Sequence, residues 1–72
     1  MIEVFKTNVK EHSQAKILLD QIHKIFEGHE ANFDLEDCDK ILRVKCRSGI
    51  IQPSLFIRLL RDFGFHAEVL QD

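Results

Sequence analysis

No stretch of this chain approaches the roughly 20 consecutive apolar residues that a membrane-spanning helix requires. The opening segment Met1-Ile2-Glu3-Val4-Phe5-Lys6 also lacks the charged-then-apolar order of a secretion signal, so no membrane association is expected. Neither sign of charge dominates. Charged side chains make up 31% of the 72 residues and leave a formal net charge of −2. A duplex binder draws its affinity from neutralising phosphates with a strongly basic face, so no nucleic-acid partner is expected. Two cysteines without a secretion signal fit a reducing compartment, and the expected location is cytoplasmic. One proline, no linker and no low-complexity tract leave a single domain over residues 1–72. A chain this short buries only about 60% of its unfolded surface. With 44% apolar residues and six phenylalanines, a thin two-layer core is feasible.

What is present alternates between two periodicities. Ile2 to Val9 sets Phe5, Thr7 and Val9 against Lys6 and Asn8, the pattern of a half-buried strand. Ser13 suits a helix N-cap, Ala15, Leu18, Leu19, Ile22, Ile25 and Phe26 follow at helical spacing, and Gly28 suits the C-terminal cap. Ala31, Phe33 and Leu35 alternate with Asn32, Asp34 and Glu36, and Asp37-Cys38-Asp39-Lys40 makes a polar turn. Leu42, Val44 and Cys46 then alternate with Arg43 and Lys45. Ser48-Gly49 breaks that strand, and Pro53 suits the first turn of a second helix with the stripe Leu55, Phe56, Leu59, Leu60 and Phe63, closed by Gly64. Phe65 to Leu70 makes a last short strand with Ala67 and Val69 on one side. The order βαββαβ predicts an α+β fold of the ferredoxin-like kind: a four-stranded antiparallel sheet with two helices on one face. Three connections then share one end of the sheet: the first strand-to-helix loop, the turn at Cys38, and the Gly64-Phe65-His66 corner.

The strand ending at Val9, the Phe33-Asp34-Leu35 segment, the Ile41-Leu42-Arg43-Val44 strand and the Gly64-Phe65 corner stand in this order over nearly the whole chain. In these scaffold features the chain resembles the heavy-metal-associated (HMA) domains of copper chaperones and metal-exporting ATPases. That family carries Met-Thr-Cys-x-x-Cys in its first loop. With Leu18 and Ile22 matched to its helix core, the Met position falls on Val9 and the cysteine positions fall on Glu11 and Gln14. Thiolates are what select Cu(I), and a carboxylate and an amide do not replace them. The resemblance therefore implies a diverged HMA-like branch with a degenerate metal site, keeping the fold without the copper site.

Several residues admit other chemistry. His12, Cys38 and His66 all fall at the loop end of the sheet and, with Asp37 or Asp39, supply ligands suited to zinc or another divalent metal. The plainer reading leaves His12 and His66 solvated and Cys38 exposed in its turn. A Cys38–Cys46 disulfide is disfavoured by a separation of roughly 20 Å along the strand, which leaves Cys46 as a small core residue. The run Glu36-Asp37-Cys38-Asp39 lacks the mid-loop glycine and closing glutamate of an EF-hand and reads as a charged hairpin tip. Lys10, His12, Ser13 and Lys16 surround a helix N-terminus, but the arginine and glycines of an acylphosphatase loop are missing. The open sheet face would carry Val4, Lys6, Asn8, Asn32, Asp34, Glu36, Ile41, Arg43, Lys45, His66, Glu68 and Leu70. None of these is the stacking aromatic of an RNA-recognition sheet, and the mixed charges suggest cross-strand ion pairs.

The expected function is therefore that of a non-enzymatic binding or adaptor domain with no catalytic residues, no resident cofactor and no metal. A protein partner is compatible with this reading, with the chain a monomer or weak homodimer. The alternative is a divalent-metal protein using His12, Cys38 and His66.

Overall fold

A computed structural model describes residues 1–47 and 49–71. The elements run β1 (Ile2–Thr7), α1 (His12–Ile25), β2 (His29–Asp34), β3 (Ile41–Cys46), α2 (Pro53–Asp62) and β4 (Ala67–Val69). The strands form one antiparallel sheet in the order β2-β3-β1-β4, an α+β architecture compatible with the ferredoxin-like arrangement.

The periodicities explain where the core lies. Phe5, Leu42, Val44 and Ala67 of the strands join Leu18 and Ile22 of α1 and Phe56 and Leu60 of α2 in a single buried cluster. Phe56 is its hub, with ring centroids 5.9 Å from Phe5 and 4.4 Å from Phe26. Val9 stays buried although β1 ends two residues earlier, and Leu35 stays buried beyond the end of β2. No disulfide joins the cysteines: Cys38 is exposed and Cys46 lies in the core.

Several local expectations need correction. α1 begins at His12 with Glu11 as its N-cap, which makes no side-chain capping bond, so Ser13 lies inside the first turn. Ile25 is 54% exposed and Phe63 is 42% exposed, and Leu55 is exposed too, so each helix stripe is narrower than its apolar residues suggest. Ile51, just before α2, is buried in their place. Ile41 points to the open face by alternation yet is only 4% exposed. Beside it the hairpin is held to the end of β1, where Asp39 lies 3.8 Å from the Lys6 ammonium and its carbonyl accepts the Thr7 N–H at 3.0 Å. Ser48, read as part of the break after β3, lies outside the described residues.

Candidate functional site

The loop end of the sheet is tied together through the last residues of β1. Thr7 is buried, and its hydroxyl donates to the Lys40 carbonyl at 2.5 Å while accepting the Val9 N–H at 3.2 Å. The hairpin is thus fixed to one side of β1. On the other side, Asn8 Oδ1 accepts the His66 N–H at 2.8 Å, and the Asn8 N–H donates to the His66 carbonyl at 3.3 Å. One strand end therefore positions both flanking connections.

Between the first loop and the α2–β4 corner lies an open cleft of about 380 Å³, lined by Asn8, Lys10, Glu11, Gln14, Gly64 and Phe65. Gly64 sets its far wall. At φ +88° it adopts the left-handed conformation, letting the Phe65 N–H return to the Leu60 carbonyl at 2.8 Å in a helix-terminating turn. The reversal brings Phe65 to the cleft. The near wall is the start of α1, where Glu11 and Gln14 stand one helical turn apart.

The lining offers one ammonium, one carboxylate and two amides, with one of the amide oxygens already engaged by His66. It contains neither a thiol nor an imidazole. Lys16, the second lysine of this loop region, is outside the lining and pairs with Asp20 at 3.4 Å.

The candidate metal ligands are distributed differently. His12 opens α1 and is exposed; His66 is exposed, with its ring 3.8 Å from the Glu68 carboxylate. Cys38 is exposed at the hairpin tip, where its sulfur and one carboxylate oxygen each of Asp37 and Asp39 lie within 4.8 Å of one another. Among the described residues this is the one such group, and it includes neither histidine. Asp37 Oδ1 already accepts the Asp39 N–H at 2.8 Å, the ordinary work of an aspartate in a tight turn.

The open face also departs from expectation. Arg43 and Lys45 have no ion pair among the described residues: Lys6 pairs with Asp39, and Glu30 pairs with Arg47 at 3.2 Å. Two features escaped the sequence reading. Asn8 acts as a clamp through its side chain, for which a lone asparagine after a strand gives no signal. His23 reaches from α1 to the outer edge of β2, which only the packing of helix on sheet reveals.

No family model, curated protein or solved structure matches the chain.

Proposed function

We propose that this chain is a non-enzymatic binding or adaptor domain with a ferredoxin-like, HMA-like fold from which the thiolate copper site has gone. The lining of the cleft at the first loop carries the reading. There the resemblance puts the family's cysteines on Glu11 and Gln14, and these two side chains flank Lys10 and Phe65 in a site with hard oxygen and nitrogen groups. Such groups do not hold Cu(I). Both thiols of the chain are placed elsewhere, with Cys38 exposed on the hairpin and Cys46 in the core. The lining also holds no serine, cysteine or histidine side chain, the groups that most often pair as nucleophile and base. Together with its small size, this supports a protein that works by contact and not by turnover.

The competing divalent-metal reading, built on His12, Cys38 and His66, has less behind it because the histidines stand outside the group formed by Asp37, Cys38 and Asp39. Native mass spectrometry with Cu⁺, Zn²⁺ and Ni²⁺ separates the two. The adaptor reading expects no stoichiometric adduct with any of the three. A one-to-one adduct that disappears in Cys38→Ser, or in the triple alanine variant of His12, Cys38 and His66, would replace it with the metal reading.

A further inference from the structure

We infer that the open face of the sheet is the binding surface of this domain, and that it takes an acidic protein segment bearing aliphatic side chains. This rests on the adaptor reading and gives it a partner of defined chemistry.

The face is organised in cross-strand rows. Strand register places Lys45 between Glu30 and Ile2, and Arg43 between Asn32 and Val4. Leu70 extends the second row, its N–H bonded to the Val4 carbonyl at 2.9 Å. The two cations therefore lie on β3 at the centre of the sheet, beside an aliphatic strip of Ile2, Val4 and Leu70 on β1 and at the end of β4. Ile2 is 56% exposed and Leu70 37% exposed, so the strip is open to solvent. Among the described residues none of the acids of this face is paired with Arg43 or Lys45: Glu30 holds Arg47 at 3.2 Å, Asp39 lies 3.8 Å from Lys6, Glu68 stands opposite Lys6 in the register and 3.8 Å from the His66 ring, and Asp34 and Glu36 lie toward the hairpin.

A ligand that satisfies this surface brings carboxylates to Arg43 and Lys45 and apolar side chains to the strip. A second copy does not fit face to face. A two-fold axis through the centre of the sheet would set the Arg43 and Lys45 stripe against its own image, and like charges opposed across an interface are unfavourable. Nucleic acid fits poorly as well, since the strip offers no aromatic ring for a base to stack on.

The test uses the full chain, immobilised and panned against displayed random peptides of roughly 12 residues, enough to cross a sheet face about 20 Å wide. Enriched peptides should combine aspartate or glutamate with leucine, isoleucine or valine. Their affinity should fall about tenfold or more in the double variant Arg43→Glu/Lys45→Glu, by less in Arg43→Gln/Lys45→Gln, and stay unchanged in Lys24→Glu on α1. Added salt should weaken binding. Backbone amides of Ile2, Val4, Arg43 and Lys45 should shift on titration, with a dispersed spectrum showing that each variant folds. Enrichment of peptides without acids, unchanged affinity in the double reversal, or shifts confined to the helices would overturn the assignment of this face while leaving an adaptor. Failure to enrich any peptide, or tighter binding of an oligoribonucleotide to the same amides, overturns it as well. A stoichiometric metal adduct in the mass-spectrometric test removes the adaptor reading itself.

Discussion

The imidazole Nε2 of His23 accepts the backbone N–H of Ala31 across 3.2 Å, joining α1 to the outer edge of β2. β2 is an edge strand, and unpaired edge donors are open to pairing with another chain. The adjacent outward donor is closed too, with the His29 N–H meeting the Phe26 carbonyl at the end of α1 at 3.3 Å. A helix side chain and a helix terminus therefore blunt the edge without a proline or a bulge.

A leucine offers no acceptor, so His23→Leu should remove this bond and lower the local opening free energy at Ala31 by about 1 kcal/mol. Hydrogen exchange read by NMR measures the effect. Ala31 protection unchanged in the variant would show that the contact holds nothing in solution.

Thr7→Val keeps the shape of the side chain and deletes the hydroxyl that bridges the Lys40 carbonyl and the Val9 N–H. A buried donor and acceptor lose their partner together, which should cost about 1–3 kcal/mol. Thr7→Ser retains the oxygen and sheds one methyl group, a loss of roughly 1 kcal/mol. Urea unfolding should rank wild type above Ser and Ser above Val. The reverse order would place the weight of Thr7 in its methyl group.

Phe56→Ala and Phe63→Ala should differ sharply although both residues belong to the apolar pattern around α2. Phe56 contacts Phe5, Phe26 and His29 at centroid distances of 5.9, 4.4 and 5.7 Å. Its truncation should cost about 3–5 kcal/mol. That is a large share of the roughly 4–11 kcal/mol available to a domain of this size. Phe63, largely outside the core, should cost under about 1 kcal/mol on the same change. Thermal and urea unfolding of the two variants provide the comparison.

That contrast shows what the sequence could reveal. β3 was readable to its ends, because Leu42, Val44 and Cys46 alternate without interruption against Arg43 and Lys45. The proline at the start of α2 and the left-handed glycines at residues 28 and 64 also fell where their backbone preferences put them. Burial within the helix stripes was not readable, because hydrophobic spacing gives a helix face but not the width of sheet available to cover it. Ile25, Leu55 and Phe63 extend past that width. Ile41 errs in the other direction, buried on the face that strand alternation assigns to solvent. At the loop end the chain order placed the three connections together, while the Asn8 clamp joins a side chain to a backbone 58 residues away, and the place of Phe65 in the cleft wall depends on how its corner packs beside the first loop.

Gly64→Ala should reshape the cleft with little steric cause, since nothing lies within 4 Å of the added Cβ. The cost comes from φ +88°, a left-handed conformation that penalises a side chain by about 1–2 kcal/mol. Relief requires the chain to rotate, which would break the Phe65 N–H bond to Leu60 and withdraw Phe65 from the lining. A loss of stability in that range, with amide shifts at Asn8, Phe65 and His66, is the expected result. Shifts confined to α2 would show that the cleft wall does not depend on this turn.

Glu11→Cys combined with Gln14→Cys tests the resemblance to metal carriers most directly. If those two positions are the vacated ligand sites, the scaffold should still hold two thiolates one helical turn apart at the open cleft, where Phe65 shields one side. Soft sulfur ligands favour Cu(I) over harder divalent ions. The double variant should therefore bind one Cu(I) per chain and resist a moderate chelator, while either single variant holds copper at least about tenfold more weakly for want of a second thiolate. Cys38→Ser should be built into every variant, so that the exposed hairpin thiol cannot supply a third ligand. Copper titration with mass spectrometry gives the stoichiometry, and amide shifts at Asn8, Lys10 and Phe65 locate the ion. A double variant that binds no copper, or binds it only by bridging two chains, would mean that the first loop does not have a carrier's geometry, and the kinship inferred from the scaffold would fall with it.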